Sequence, residues 1–254
     1  MILTVDIGNT NITLGGFDDD KLAFVARLST NTAITADEYA AKIHSTLAIY
    51  RVSQDAIDGA IVSSVVPPLN AVIRRALAIL YGIDAIMVGP GIKTGINIHC
   101  DHPASVGADL ICACVAAHHL YGSPALIIDM GTATKMMVMD QRGAFIGVSI
   151  IPGVLMGLRA LSQSTAQLPQ VSLEAPGALI AKNTADCMRS GVIYGNASMI
   201  DGMIDRFNEA MHTALPVYAT GGLASTIIGH CRHEITLDES LVLKGLHILY
   251  RKNK

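Results

Sequence analysis

Apolar and polar positions follow two different periods along the chain, and the change of period separates predicted strands from predicted helices. Near the start, two apolar stretches flank the polar turn Gly8-Asn9-Thr10-Asn11, a pattern typical of paired strands. Further on, apolar residues recur every three or four positions, which predicts helices. For the first part of the chain, these patterns predict strands within 1–16 and at 22–28, 59–66 and 85–88, and helices at 36–50, 69–81 and 110–121. This order of elements indicates an α/β fold with parallel crossovers.

The second half of the chain repeats the organisation of the first. The segment Val5-Asp6-Ile7-Gly8 aligns with Ile128-Asp129-Met130-Gly131, so that Asp129 stands 123 positions after Asp6, close to half the chain length. Self-similarity at this spacing favours two related lobes over one large sheet. The later predicted elements are strands at 125–129, 136–140, 144–151 and 217–219, helices at 153–162, 184–210 and 238–251, and a short helix after Gly222.

The predicted boundary between the lobes lies at the turn Gly122-Ser123-Pro124. It gives an N-terminal lobe of residues 1–122 and a C-terminal lobe of residues 123–254, and it leaves open whether a C-terminal helix crosses back. Helix starts are marked where a threonine is followed three residues later by a glutamate, the spacing of a capping box. The two such pairs are Thr35 with Glu38 and Thr236 with Glu239.

Each lobe has an aspartate near the end of an apolar strand, followed by a glycine and a threonine. The carboxylate can hold a hydrated Mg²⁺ ion, the glycine lets backbone N–H groups approach phosphate oxygens, and the hydroxyl adds a donor. A hairpin turn with a side-chain cap explains a single copy equally well, but two copies at half-chain spacing favour phosphate binding. The copies are Asp6, Gly8, Asn9, Thr10 and Asn11, and Asp129, Gly131, Thr132 and Thr134. The pair Gly221-Gly222 is a weaker signal of the same kind.

Asp109 closes a second polar segment and stands at the start of the predicted helix 110–121. One role for an aspartate at this place is to cap the helix and complement its dipole. Another is to accept the proton of an alcohol during phosphoryl transfer, as positioned carboxylates do in many kinases. The residue pattern alone favours the cap slightly.

Composition and charge narrow the range of partners. The chain has 18 Lys and Arg residues against 21 Asp and Glu residues, so there is no basic excess for nucleic acid and a small molecule or a protein is favoured. It has no run of about 20 apolar residues for a membrane span, and no secretory signal is visible, so a cytoplasmic location is expected. Because 51% of the residues are hydrophobic and only 15% are charged, we also expect surface to be covered in an oligomer.

Seven motifs in order resemble the type III pantothenate kinase family, from one end of the chain to the other. They are Asp6-Ile7-Gly8-Asn9-Thr10, Gly91-Ile92-Lys93-Thr94-Gly95, Asp101-x-Pro103-x-x-Val106-Gly107-Ala108-Asp109, Asp129-x-Gly131-Thr132-Ala133-Thr134, Pro152-Gly153, Thr165-Ala166-x-Leu168-Pro169 and Thr220-Gly221-Gly222. The resemblance implies two ribonuclease H-like lobes of the actin-like ATPase kind, each a mixed sheet with flanking helices. It also implies a homodimer that transfers the γ-phosphoryl group of ATP to the primary hydroxyl of pantothenate, the first step of coenzyme A biosynthesis.

The resemblance further implies roles for individual residues. Asp109 would accept the proton of the acceptor hydroxyl, and Asp129 would bind an activating monovalent cation, K⁺ or NH4⁺. Asp6 would hold Mg²⁺ through water. The ATP-binding residues would be Asp6, Ile7, Gly8, Asn9, Thr10, Asn11, Ile12, Thr13, Thr132, Gly221 and Gly222, and the pantothenate-binding residues would be Cys100, Gly107, Ala108, Asp109, Leu110 and Thr184.

Three positions depart from the family pattern: Cys100 replaces a tyrosine, Leu110 an arginine and Lys135 a threonine. The arginine would pair with the carboxylate of pantothenate, so its loss should weaken binding about 10- to 100-fold. The departures keep other functions open: a degenerate paralogue that acts as a nucleotide-binding regulatory or accessory protein, a kinase for a related alcohol such as pantetheine, or a phosphatase. We also hypothesise that the Lys135 ammonium beside Asp129 stands in for K⁺.

Overall fold

The computed structural model describes residues 1–254. It contains ten strands, seven α-helices and three short 3₁₀ turns. In chain order the strands and α-helices are β1 (Ile2–Ile7), β2 (Asn11–Asp18), β3 (Lys21–Ser29), α1 (Ala36–Ile49), β4 (Gly59–Ser64), α2 (Asn70–Tyr81), β5 (Ile86–Met87), α3 (Ala108–Tyr121), β6 (Ala125–Met130), β7 (Ala133–Met139), β8 (Phe145–Pro152), α4 (Val154–Gln163), α5 (Thr184–Met211), β9 (Val217–Thr220), α6 (Ala224–Ile228), β10 (Thr236–Leu237) and α7 (Leu241–Asn253).

The chain divides into two compact units. The first unit consists of Met1–Tyr121 together with Leu241–Lys254, and the second consists of Gly122–Ser240. The predicted boundary at residue 122 therefore lies next to the observed one, whereas the predicted lobe 123–254 is wrong in its last part. Helix α7 belongs with the first unit because it packs on α3 through Gly245, where a Cβ atom would stand only 1.9 Å from the Cys112 carbonyl oxygen.

The first unit is built on a five-stranded mixed sheet with the strand order β3-β2-β1-β4-β5. The meander β1-β2-β3 is antiparallel, and β4 and β5 join it in parallel. In β4, Ala60 and Val62 belong to the core cluster under α1 and α2, while Ile61 belongs to the cluster under α3 and α7. Because side chains alternate across a strand, helices cover both faces of this sheet.

Local signals explain where the first helices begin and end. Thr35 and Glu38 form a complete capping box at the start of α1, as predicted: the Thr35 side chain accepts from the Glu38 N–H, and Glu38 accepts from the Thr35 N–H. Such a cap contributes about 1 kcal/mol. At the C-terminal end of α2, Gly82 adopts a left-handed conformation with φ of 67°, which glycine reaches without the steric penalty of a Cβ atom.

The second unit repeats the first in its topology. Its sheet has the order β8-β7-β6-β9-β10, with an antiparallel meander β6-β7-β8 and two parallel additions. Helices α4, α5 and α6 contribute to one core cluster together with β6 residues Leu126, Ile128 and Met130. The predicted fold class, two mixed sheets with flanking helices, is confirmed.

One predicted helix start is wrong. Thr236 and Glu239 have the spacing of a capping box, but Thr236 lies in strand β10, which pairs with β9, and α7 begins only at Leu241. The backbone of Thr236 is thus used in the sheet, so the threonine cannot begin a helix. None of the helices has the combined length and apolar character that crossing a membrane requires.

Candidate active site

The turn between β1 and β2 carries the candidate phosphate-binding residues of the first unit. Asp6 is the second-last residue of β1, and its backbone is in register with Thr13 of β2 on one side and Ser63 of β4 on the other. Asn9, Thr10 and Asn11 after it are exposed. The parallel strands β1 and β4 end at the same edge of the sheet, so polar side chains gather at the edge where ligands bind in α/β folds.

A fixed set of hydrogen bonds shapes this turn. The Gly8 N–H donates to the Asn11 carbonyl at 2.9 Å. From the end of β3, the Thr30 hydroxyl donates to the Gly8 carbonyl at 2.6 Å and the Thr30 N–H donates to the Thr10 carbonyl at 3.0 Å. The turn is therefore held in one conformation before any ligand arrives.

The predicted ATP-binding run includes residues with different surroundings. Ile7 and Ile12 have no exposed surface and belong to the hydrophobic core. Their side chains cannot reach a nucleotide, so any contact they make must come from the backbone. The polar residues between them carry the exposed side chains of the run.

Asp109 is the second residue of α3 and is 9% exposed. Its predicted place at a helix N-terminus is confirmed. The Oδ1 atom accepts a hydrogen bond from the Leu110 N–H at 2.9 Å. A Cβ atom on Gly107 would lie 2.5 Å from the same oxygen. A side chain at position 107 would therefore displace the carboxylate, which accounts for the glycine in Gly107-Ala108-Asp109.

The buried Cys112 thiol is affected by the charges of both Asp6 and Asp109. Burial raises the pKa of Cys112 well above its usual value, and the negative charges of Asp6 and Asp109 raise it further, opposed in part by the Ser63 hydroxyl. The first unit thus brings the end of β1, the end of β4 and the start of α3 to one place. Sequence reasoning missed Cys112 and Ser63; the signal for Cys112 was its position one helical turn after Asp109.

Two of the departures from the family pattern, Leu110 and Cys100, lie close to Asp109 in the sequence but differ in exposure. Leu110 is buried, with 6% of its surface exposed. Cys100 is half-buried, in the irregular segment that leads to α3, and is a free thiol. A leucine at position 110 therefore fills interior space directly after Asp109 instead of presenting a charge.

The second unit carries the other aspartate. Asp129 lies in β6 in register with Lys135 of β7 and Thr220 of β9. The Lys135 Nζ atom is 2.7 Å from the Asp129 Oδ2 atom, and the two side chains are only 20% and 12% exposed. This is a short, largely buried ion pair between strand neighbours.

Glycines pack tightly around the turn that follows Asp129. A Cβ atom on Gly153 would stand 2.1 Å from the Thr132 carbonyl oxygen, and one on Gly221 would stand 2.6 Å from the Met130 carbonyl carbon. Gly221 also has φ of 95°. The sequence singled out Gly221 for its approach to a ligand; the structure shows that it approaches the end of β6. A Cβ atom on Gly222 would meet nothing within 4 Å.

Three threonines of the second unit differ in their settings. Thr132 is exposed in the turn, whereas the Thr134 hydroxyl is buried and has no hydrogen-bond partner. Thr184 is the exposed first residue of α5. The preceding Asn183 caps that helix, because its side-chain oxygen accepts a hydrogen bond from the Asp186 N–H at 3.0 Å.

Comparisons with known proteins agree with this picture. Residues 2–206 match the sequence model of the family described as type III pantothenate kinase. The chain is 41% identical over 253 residues to a type III pantothenate kinase from a Geobacillus species, covering 100% of this chain and 98% of the relative. It is 40% identical over 254 residues to a type III pantothenate kinase from Geobacter sulfurreducens, covering all of both chains.

A solved structure supports the fold independently of close sequence similarity. The ROK hexokinase from Thermus thermophilus superimposes with a TM-score of 0.51 at 15% identity, over 100% of this chain and 99% of the hexokinase. At that identity the likeness concerns the fold alone. It agrees with the predicted fold class of two lobes, each a mixed sheet with flanking helices.

Proposed function

The chain belongs to the type III pantothenate kinase family, and from this premise we propose which of its residues carry out the transfer. The reaction is the ATP-dependent phosphorylation of pantothenate on its primary hydroxyl, at the start of coenzyme A biosynthesis. The observation that carries the assignment is that Asp109, a carboxylate that is 9% exposed in the first turn of α3, belongs to the same compact unit as the exposed turn that follows Asp6.

We assign the role of proton acceptor to Asp109. Its carboxylate sits in the first turn of α3, where Gly107 leaves room for it. A positioned carboxylate can take the proton of an alcohol as the bond to phosphorus forms. Pantothenate would then lie against Asp109, with further contacts from Cys100, Gly107, Ala108, Leu110 and Thr184.

We assign ATP to the two strand turns. The exposed turn after Asp6, from Gly8 to Thr13, would face the phosphates, and Thr132, Gly221 and Gly222 would supply contacts from the second unit. Mg²⁺ usually keeps several waters and binds one or two carboxylates together with substrate phosphates. Asp6 is suited to that role through a bound water.

We also propose that the protein is a homodimer in the cytoplasm. Support for the dimer comes from apolar side chains that the second unit leaves exposed on β8 and α4: Val148, Ile150, Leu155, Met156 and Leu161. Light scattering during gel filtration tests this, with Met156→Glu expected to give a monomer and Ile49→Glu, a change at an exposed residue of α1, expected to leave the dimer intact. Equal mass for both variants and wild type would count against this surface. The five free cysteines suit the reducing cytoplasm.

The decisive experiment measures ADP release from ATP with and without pantothenate, in wild type and in Asp109→Asn. We expect kcat to fall about 100- to 10,000-fold in the variant, the range for losing a general base, with KM for ATP little changed. Asp37→Asn is a matched control, because Asp37 is the second residue of α1 as Asp109 is of α3. Both changes remove a charge that stabilises a helix N-terminus.

The control separates catalysis from capping. If Asp109 acts only as a helix charge, both variants should lose a similar, small amount of stability and keep their activity. Wild-type kcat in Asp109→Asn would remove Asp109 from the chemistry. Absence of any pantothenate-dependent ADP release by wild-type protein would remove the substrate assignment.

A further inference from the structure

The residues around Asp129 do not fit the monovalent cation that the family resemblance implies there. A cation bound by this carboxylate would have to share it with the Lys135 ammonium, which already lies 2.7 Å from Oδ2. We propose that Lys135 is a built-in replacement for the cation, so that this chain works without K⁺ or NH4⁺. The inference rests on the proposed function, since it concerns the turn after Asp129, which we assign to ATP binding.

Strand pairing fixes the lysine in place. Asp129 and Lys135 are directly opposite in the antiparallel pair of β6 and β7, with Met130 opposite Thr134 at the turn. Opposite residues in such a pair project on the same face of the sheet, with Cβ atoms about 5 Å apart. A lysine at this register position therefore meets the aspartate without reaching across the sheet.

The surroundings of the turn allow little rearrangement. The backbone at Thr132 is in contact with Gly153, and the backbone at Met130 is in contact with Gly221, at positions where even one added carbon would collide. The turn thus cannot shift easily to separate the two charges. Both side chains are also more than three-quarters buried, which weakens the competition from water that loosens ion pairs on a surface.

The chemistry of the ammonium group suits the exchange. A lysine ammonium is a compact point charge with three N–H donors, comparable in charge and hydrogen-bonding capacity to a bound NH4⁺ ion. Two positive charges within a few ångströms repel strongly in a site that is largely shielded from water. The lysine therefore both neutralises Asp129 and disfavours the binding of a second cation.

The first test is the cation dependence of the wild-type protein. ADP release with pantothenate is measured with tetramethylammonium as the only monovalent cation and again after adding K⁺ or NH4⁺. We expect less than about a twofold change, since no strong charged contact is gained. Strict dependence on K⁺ would overturn the inference and leave the pantothenate kinase assignment intact.

The second test opens the site by substitution. Lys135→Thr should lose activity about 10- to 100-fold without K⁺, the worth of one charged hydrogen bond, and recover with K⁺. Lys135→Met has similar length but no charge, and it should lose activity that K⁺ does not restore. Lys21→Thr removes an exposed lysine from a strand of the first unit and should behave as wild type.

A readout that needs no turnover separates this inference from the proposed function. The thermal unfolding midpoint of the protein with ATP bound is measured in tetramethylammonium and in K⁺. Only Lys135→Thr is expected to gain stability from K⁺. If K⁺ raises the midpoint of Lys135→Thr only, but no variant releases ADP in response to pantothenate, Lys135 replaces the cation and pantothenate is not the substrate. If K⁺ raises the midpoint of the wild-type protein, Lys135 does not replace the cation.

Discussion

The two turns that follow Asp6 and Asp129 have the same place in two copies of one topology, yet their immediate neighbours differ. Asp6 is flanked in register by Thr13 and Ser63, neither of which carries a charge. Asp129 is flanked by Lys135 and Thr220, and the lysine pairs with it. Asp129 is thus paired with a lysine of its own sheet, whereas the residues in register with Asp6 are uncharged.

This difference indicates a division of work between the units. We propose that Asp6 holds hydrated Mg²⁺, which would bring two positive charges to the ATP phosphates. A carboxylate that already holds an ammonium contributes a fixed, neutral arrangement that shapes its turn. Substitutions at the two turns should therefore have different signatures: a loss of activity with little loss of stability in the first unit, and a loss of stability together with activity in the second.

The largest expected effect is that of Asp6→Asn. The change keeps the shape of the side chain and removes its charge, so the fold should persist while the Mg²⁺-bound phosphates lose their anchor. We expect kcat/KM for ATP to fall roughly 1,000-fold, about 4 kcal/mol of transition-state stabilisation. Steady-state kinetics over a range of Mg²⁺ concentrations measures it, and excess Mg²⁺ should restore part of the loss.

Asp18→Asn is the control for that change, because Asp18 is exposed at the other end of β2. It should leave the kinetics unchanged. The comparison between the turns would fail if Asp6→Asn kept its activity and lost only stability. Removing the Asp6 charge should also lower the pKa of Cys112, although burial, the larger cause of its raised value, keeps the thiol protonated at neutral pH.

The next effect is that of Asp129→Asn, which leaves the largely buried ammonium without this carboxylate. Breaking one side of a buried ion pair is costly, and we expect a loss of about 3 kcal/mol in the free energy of unfolding. Urea denaturation measures it. In the double variant Asp129→Asn with Lys135→Met, both charges are gone, and most of that stability should return.

The double variant also tests the proposed independence from K⁺. If Asp129 binds a cation in the wild type, adding K⁺ should stabilise wild type and not the double variant. Additive losses from Asp129→Asn and Lys135→Met would mean that the two side chains do not act as a pair. Either result would show that Lys135 does not neutralise Asp129 in place of a cation, and the two turns would then not differ in this respect.

Much of the architecture could be predicted from sequence, because local residue patterns indicate where most strands and helices lie. The repeat of an aspartate-bearing strand end predicted two related sheets, and Thr35 with Glu38 marked α1 correctly. Thr236 with Glu239 misled because strand pairing outweighed the local signal. The return of α7 depends on the contact between Gly245 and Cys112, which are far apart in sequence.

The candidate site shows the same limit. Asp6, Asp109 and Asp129 stand in recognisable segments, so sequence alone could propose them as site residues. The nearness of Asp6 and Asp109 to Cys112 depends on how α3 packs on the sheet, and no local pattern encodes that packing. For Lys135 the sequence supported only the hypothesis that its ammonium lies near Asp129, and the strand register and the 2.7 Å ion pair confirm that contact.

The smallest expected effect comes from adding one methyl group beside each turn. At Gly153 the new carbon would lie 2.1 Å from the Thr132 carbonyl oxygen, whereas at Gly8 it would lie 3.1 Å from the Asn11 carbonyl oxygen. Both contacts are with backbone, but only the first requires a displacement of about an ångström. We therefore expect Gly153→Ala to lose about 2 kcal/mol of stability.

Gly8→Ala should be nearly neutral, because a small adjustment is offset by the reduced entropy of the unfolded chain, worth about 0.4–1 kcal/mol. Thermal and urea unfolding of the two variants, side by side, measures the contrast. Gly153→Ala should also weaken ATP binding, since Thr132 must move, while the ion pair at Asp129 stays. Equal losses at both glycines would show that the turn of the second unit is no more tightly packed than that of the first, and would remove the rigidity on which the fixed position of Lys135 depends.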